Sequence, residues 1–518
     1  MVGIRLWPEA SGFVARAGSQ VLLGIDTAHA GGNTLGIDVM NGNNLGILQP
    51  QEIEEMRDRD TSGTGHPYPN RHERLFPFSG PRRSREFAPS VDTVVASGGI
   101  LHAMATITRV RPIRTRADGT WVIVKIETNQ PGLYGIGSAS DHYRAGVVVA
   151  AINEVLAPKL VGRDTADIED IWQSTLTSGY WRQDSVMGTV IAGADMALWD
   201  ILGKEAGLPV YRLLGGRCRA AVPVYAHAAG NTIDELIADV QHYINDGWVY
   251  IRCQLGAYGG GGFLEPASPG EGGRPRASAL RAPFDTTKRG AFDDEAYLQN
   301  VPEMFGALRQ HFGYGPKFTH DVHEHLRPHQ AVALAQALEP HRLFFVEDIL
   351  PPEHVAYYRH IKQVCTTPQA MGELFINSAE YLPLIQDRLI DYMRIRVSKA
   401  GGITPARKIA HLCEFYGVHT AWQEGGDNDP VNQLAAYHLD LASWNFGIQE
   451  ENHFTEGELA VFPGHAVTER GYMYGSEAPG LGVDIDETAA ANLFDATRAA
   501  QPRFMAEDRR ADGSLVRP

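Results

Sequence analysis

Between residues 222 and 450, short apolar runs alternate with longer stretches in which apolar positions recur every three or four residues. That is the signature of strands alternating with helices. The runs are Val222-Pro-Val-Tyr-Ala-His227, Val249-Tyr-Ile-Arg252-Cys-Gln254, Lys317-Phe-Thr-His-Asp321, Leu343-Phe-Phe-Val-Glu347, Ala370-Met-Gly-Glu373, Ile390-Asp-Tyr-Met-Arg394-Ile-Arg396-Val, Val418-His-Thr-Ala-Trp422-Gln423 and Trp444-Asn-Phe-Gly-Ile-Gln-Glu450. Helical spacing between them is plainest over 330–338 and 405–416. Eight strands joined by crossover helices predict a closed parallel barrel. One connection breaks the rhythm. Residues 259–293 are Gly/Pro-rich and polar, far longer than the usual βα loop of about 2 to 6 residues; a long loop at the catalytic end of a barrel is either a lid or a disordered insertion, and the lid is the favoured reading.

Upstream the pattern is different. Runs over 107–113, 121–127 and 133–137 are broken by Asp118-Gly119 and Pro131-Gly132, which predicts an antiparallel meander. Helical spacing follows over 144–160, 167–175 and 186–206, the last ending at Gly207-Leu-Pro209, a helix stop; Trp199 is expected in its core-facing stripe. The chain therefore divides into 1–103, an α+β segment at 104–217, the barrel at 218–450, and a tail at 451–518 that is expected to return to the α+β segment. Residues 1–103 carry mixed Gly/Asn turns and polar tracts. Val21-Leu-Leu-Gly-Ile is a candidate strand there. Two readings of this segment stay open, an extension without a core of its own and an over-long reading frame, since Met104 opens the first strongly patterned stretch.

Composition narrows the class. A formal net charge of −16 argues against nucleic acid as the main partner. No run of 18 or more apolar residues occurs, so neither a membrane span nor a secretory leader is expected. Cys218, Cys253, Cys365 and Cys413 have no C-x-x-C spacing, and they read as reduced thiols of a cytosolic protein.

The chemistry lies at the strand ends. Asp321, Glu347 and Glu373 each close an apolar run, and they follow one another at equal intervals of 26 residues, the length of one strand, loop and helix. Three acids on adjacent strand ends converge at the mouth of a barrel. Without a cation they would raise one another's pKa values; a hard ion such as Mg²⁺ resolves that conflict with oxygen ligands. His323 lies two residues after Asp321 and so on the same side of the strand, a candidate general acid or base. His325 is expected to face solvent. Arg252 shares its side of strand two with Gln254, and a buried arginine needs an acid or an anion opposite it. Tyr258 follows, and a guanidinium beside a phenol favours the phenolate, which makes Tyr258 a candidate base. His227, Arg394, Gln423, Asp427 and Glu450 complete a polar rim suited to a hydroxylated carboxylate.

Ala192-Gly-Ala-Asp-Met-Ala-Leu-Trp-Asp200, Leu213-Leu-Gly-Gly216 and the three acids together resemble the mandelate racemase group of the enolase superfamily. Ile168-Glu-Asp-Ile-Trp172, Gly179-Tyr-Trp181, Val224-Tyr-Ala-His227, Asp321-x-His323, Asn445-Phe-Gly-Ile-Gln-Glu450 and Pro479-Gly-x-Gly-Val-Asp484 look like its D-mannonate dehydratase family. The resemblance covers about residues 104–518. It implies a (β/α)7β-type TIM barrel with an α+β capping domain formed by N- and C-terminal segments, in a homo-oligomer. It further implies one Mg²⁺ per subunit on Asp321, Glu347 and Glu373, and β-elimination of water from a small anionic sugar acid of D-mannonate or D-gluconate type to give a 2-keto-3-deoxy acid. Carried over residue by residue, Tyr258 assisted by Arg252 takes the proton beside the carboxylate and His323 protonates the leaving hydroxyl. His142, His227, Glu373, Arg394, Gln423, Asp427 and Glu450 contact the substrate.

The sequence departs from that pattern in three places. Gln423 stands where the family has a histidine, the Arg252–Tyr258 segment is short, and His142 replaces an asparagine in the cap loop. Loss of a proton-transferring histidine amounts to a rate effect of roughly 10² to 10⁴. An epimerase on the same platform, or a metal-retaining sugar-acid binder with weak turnover, are the alternative readings.

Overall fold

The computed structural model describes residues 105–499 apart from 183, 262, 265–290 and 427, together with 509–510 and 513–516 and the backbone of four strands nearer the N-terminus. Residues 1–98 form a unit of their own. In it Val14–Ala17, Gln20–Leu23, Ile37–Asn41 and Asn44–Leu48 pair antiparallel in chain order, so the candidate strand at Val21 belongs to a small sheet.

The second unit begins with the expected meander. Ile107–Thr115, Trp121–Thr128 and Tyr134–Ser138 pair antiparallel in chain order. Its third strand lies on the 22-residue helix Ser185–Ala206. A Cβ on Gly137 would sit 2.0 Å from the Gly193 carbonyl oxygen, so strand and helix meet backbone to backbone. Asp184 caps the helix by accepting from the Val186 and Met187 amides at 2.9 and 2.8 Å, and Gly207 ends it in the left-handed region at φ 65°, the usual economy of acid start and glycine stop. Among the described residues this is the one helix long and apolar enough to cross a membrane, yet 78% of its apolar window is buried inside the protein. It is the core of the cap. Trp199 is 7% exposed there and donates to Thr404 Oγ1 of the barrel.

Barrel strands one to eight are Val222–Gly230, Tyr250–Leu255, Lys317–Asp321, Phe345–Glu347, Gln369–Met371, Tyr392–Met393, His419–Thr420 and Gln449–Glu450. Neighbours pair in parallel from one to seven. Closure comes from strand eight, which pairs with strand one, and from a bridge between Thr420 and Phe446. The longer helices between them are Ile233–Asn245, Asp294–Phe312, Pro328–Leu338, Tyr358–Val364, Ser378–Gln386, Ile403–Tyr416 and Pro430–Ala442. This is the (β/α)7β barrel. Its lumen is plugged by Tyr225, Phe345, Ala370, Ala421 and Ile448, a cluster separate from the main core, so the polar strand ends rest on an apolar floor. Of the long loop only its base is described, where Phe263–Leu264 pairs antiparallel with Ala291–Phe292; the rest of the lid expectation falls outside the described residues.

The tail serves both layers. Met473 pairs with Val222 of barrel strand one, and Tyr134 of the cap donates to Asp484 at 2.5 Å. Glu487 receives Arg111 at 2.6 Å and Lys125 at 2.8 Å. The last described stretch departs from the expectation of a wholly cap-bound tail: Phe292 at the loop base donates to the Arg509 carbonyl, and Arg510 pairs with Asp294 of the barrel. The hydrogen bond from Arg111, with Lys125 beside it, lowers the Glu487 carboxyl from 4.5 to about 2. A depressed acid contributes stability above its unfolded value and loses it as the pH falls through the folded one. Glu487→Gln is therefore expected to lower the unfolding temperature at neutral pH and to remove part of the decline between pH 4.5 and pH 2, read from thermal scans across that range.

Candidate active site

Parallel register sets Asp321 of strand three directly beside Glu347 of strand four. Arg252 reaches up from strand two between them. Its Nη1 lies 3.3 Å from Asp321 Oδ2, 3.5 Å from Glu347 Oε1 and 3.2 Å from Glu450 Oε1. Arg394 from strand six supplies the second cation. Its Nε is 2.9 Å from Glu347 Oε2, its Nη1 2.8 Å from Asp348 and 3.0 Å from Glu373, and its Nη2 2.6 Å from Glu450. Tyr225 closes the ring, donating to Glu347 Oε2 at 3.0 Å while accepting from Arg394 Nε and Nη2. Glu373 is the open member of the predicted set, 22% exposed against 1% and 0% for Asp321 and Glu347.

Electrostatics in this cluster are uneven. Burial pushes the Glu347 and Asp348 carboxyls up, past what Arg394 takes back, with a neighbouring acid adding to each. Burial acts on Glu450 as well, but Arg394 and His227 overcome it and hold that carboxyl well down. His227 Nε2 is 3.1 Å from Glu450 Oε1, and burial, then Arg252, lowers its imidazole to about 4; near neutral pH it is an uncharged hydrogen-bonding group. Five carboxylates thus share two guanidinia. Among the described residues no three acidic or histidine side chains already close around one point, because Arg252 Nη1 lies between Asp321 and Glu347. The donor set of Asp321, Glu347 and Glu373, all carboxylate oxygens with charge left over, fits a hard divalent cation.

Above the acids stand the two proton-transfer candidates. Tyr258 and His323 face one another with ring centroids 4.2 Å apart, and Arg252 Nη2 is 3.4 Å from the Tyr258 hydroxyl. The expected easing of Tyr258 ionisation is not what this arrangement gives. Arg252 pulls the phenol down, but burial and the Asp321 charge outweigh it and push it up to about 12; the guanidinium is already engaged with three acids. His323 and Glu324 are in the left-handed region at φ 52° and 63°, held by the bond from the His323 amide to Asp321 Oδ1 at 2.8 Å. His325 also lies elsewhere than its position in the sequence suggests. It is 5% exposed and packs against Phe292 at 5.4 Å instead of facing solvent.

The rim is mixed. Arg394 is wholly buried, so it stands as the counter-ion of the acids around it. Gln423 is buried and accepts from Arg396 Nε at 2.6 Å. Asp427 lies outside the described residues. The cap loop bearing His142 is tied down on both sides: Ser138 and Ser140 donate to Asp429, and Lys399 pairs with Asp141 at 2.8 Å. Sequence reasoning missed Tyr225, Asp348 and Arg396. Tyr225 was findable, lying two residues before His227 and so on the same side of strand one; Asp348, at φ 44°, carries no such signal.

Residues 102–215 match the mandelate racemase/muconate lactonizing enzyme N-terminal domain, and residues 276–489 match the enolase C-terminal domain-like family. A D-galactonate dehydratase family member from Paenibacillus sp. (strain JDR-2) is 54% identical over 417 residues, which is 80% of this chain and 100% of the relative. The chain belongs to the D-galactonate dehydratase family, in the enolase superfamily. A further member of this family, RspA from Pantoea ananatis (strain LMG 20103), is 45% identical over 415 residues, 80% of this chain and 99% of that one. The crystal structure of an enolase from Pantoea ananatis with bound D-gluconate and Mg superposes with a TM-score of 0.74 at 44% identity, covering 80% of this chain and 100% of that one. The mandelate racemase group is therefore right, while the D-mannonate dehydratase label suggested by the motifs is not the one these relatives carry.

Proposed function

We propose that this family member is a Mg²⁺-dependent hydro-lyase that dehydrates an aldonate of D-gluconate or D-mannonate type to the 2-keto-3-deoxy acid. The observation that carries the reading is the ring contact of Tyr258 with His323, 4.2 Å between centroids at a tilt of 32°, with Arg252 joining the Tyr258 hydroxyl to Asp321 and Glu347. Two proton-transfer groups on one wall address vicinal positions of a substrate from the same side. Tyr258, with Arg252 steadying the phenolate, takes the proton from C2. The C–H electrons pass first into the substrate carboxylate and then form the C2–C3 double bond as the 3-hydroxyl departs, protonated by His323 to water, and the enol so formed tautomerises to the 2-keto acid. Mg²⁺ held by Asp321, Glu347 and Glu373 would stabilise the charge building on the substrate carboxylate and, by engaging those acids, leave Arg252 to Tyr258. Neutral His227, Glu450, Gln423, Asp427 and His142 provide hydrogen bonds for the hydroxylated carbons. The placement of the pair on one wall favours syn elimination.

This reading has the enzyme working in the cytoplasm, where free Cys218, Cys253, Cys365 and Cys413 stay reduced, as a symmetric homo-oligomer. The binder reading draws support from one feature, the Tyr258 phenol pushed up to about 12. Incubating the full chain with Mg²⁺ and a panel of aldonates separates the two. The expected result is a 2-keto-3-deoxy product from at least one aldonate, lost on chelation with EDTA and restored by Mg²⁺. Binding by calorimetry without product would favour the binder, and an epimerised product would replace the dehydratase with an epimerase.

A further inference from the structure

The turn that aims His323 is under backbone strain, with two successive non-glycine residues at positive φ, and such turns persist where their surroundings over-determine them. The support is visible. The Glu324 amide donates to the Asp348 carbonyl at 2.9 Å, and four rings stand in a row: Phe292 to His325 at 5.4 Å, His325 to His323 at 5.7 Å, and His323 to Tyr258 at 4.2 Å. The far end of this row is clamped by the C-terminus. The Phe292 amide donates to the Arg509 carbonyl at 2.8 Å. Arg510 forks onto both oxygens of Asp294 at 2.9 Å each and reaches the His325 carbonyl at 3.4 Å. The fork is only 16% and 12% exposed, a two-point charge-assisted contact of the geometrically specific kind. The tail is itself folded, with Arg510 donating from its amide to the Ser514 carbonyl and Val516 fully buried.

We infer that the C-terminal residues 509–510 and 513–516 form a positioning element for the Tyr258–His323 pair, with Arg510 and His325 as its positioning residues. The inference rests on the proposed role of that pair. Arg510 fixes the loop base and the His325 backbone, His325 backs His323, and His323 is thereby kept against Tyr258.

Four variants of the full chain test this, Arg510→Met, Arg510→Lys, His325→Ala and His325→Phe, assayed on whichever aldonate is turned over. Arg510→Met and His325→Ala are expected to lower kcat by roughly ten- to a hundredfold, the scale of a misplaced reacting group, with KM unchanged. His325→Phe keeps a ring in the row and is expected to retain most of kcat; Arg510→Lys, which keeps the charge but not the fork, falls between. A merely structural role would lower the melting temperature of all four without this kcat ordering, and that result would overturn the inference. Hydrogen exchange judges the clamp without any turnover: amides at 321–327 are expected to exchange faster in Arg510→Met, and unchanged exchange would also overturn it. A parent enzyme inert toward every aldonate would count against the proposed function and leave the exchange result to decide the clamp.

Discussion

Tyr258→Phe is expected to lower the dehydration rate by roughly 10² to 10⁴, the usual contribution of a positioned base, while leaving metal affinity and fold intact. The six-membered aromatic ring stays, so its packing against His323 at 4.2 Å is preserved, and only the proton-accepting oxygen is lost. His323→Asn is expected to cost a similar factor by a different route. In deuterated water the Tyr258→Phe enzyme should neither exchange the C2 proton nor eliminate, whereas the His323→Asn enzyme should still exchange it, because removal of the C2 proton precedes departure of the hydroxyl. Proton NMR of the recovered substrate reads this directly. Full retention of elimination by Tyr258→Phe would move the base elsewhere in the site.

Arg394→Met is expected to destabilise the protein by about 3 to 5 kcal/mol at neutral pH, the cost of stripping one partner from buried charges. Among the described residues no other in the site faces so many acids: Glu347, Asp348, Glu373 and Glu450 all lie within 3.0 Å of its guanidinium. The loss should depend on pH in a definite sense. Burial alone would raise Glu450, and Arg394 is the first group holding it down. In the parent, Glu450 therefore contributes stability above its unfolded pKa that is lost only as the pH falls through its depressed folded value. With Arg394 removed, the carboxyl's folded value rises, so the deficit is expected to be largest near pH 8 and to shrink toward pH 5. Urea midpoints of parent and variant at the two pH values measure it, and a deficit independent of pH would reassign the effect to lost packing.

The barrel and its acids were legible because each rests on local pattern. Apolar runs ending in Asp321, Glu347 and Glu373 at one repeat interval specify strand ends, and parallel register then brings the first two together. Arg252 was legible through its two-residue offset from Gln254 along strand two, whereas His323 lies past the end of strand three in a left-handed turn, which strand alternation does not describe. What escaped is whatever depends on a third partner. The ionisation of Tyr258 was misjudged because pairing it with Arg252 ignores the acids that compete for the same guanidinium. Arg394 read as a rim contact, since nothing local reveals that strands one, four, five and eight all send groups to it. His325 read as exposed because Phe292, which covers it, stands on the far side of the long loop, and no periodicity links the two. The strands nearest the N-terminus are short and not regularly amphipathic, so only one of them left a trace in the pattern.

Closure of the barrel by strand eight against strand one has a consequence for how the protein is made. Synthesis delivers Asp321, Glu347, Asp348 and Glu373 in succession with Arg252 alone to balance them, and Arg394 follows only with strand six. Tyr225 and Glu450, which flank Arg394 in the finished cluster, come from the two ends of the barrel and meet only when the ring shuts. A nascent chain halted before strand six would hold a nest of acids with too few cations, an arrangement that opposes collapse of that half-barrel. Closure of the ring and balance of the charge therefore come together, late in synthesis.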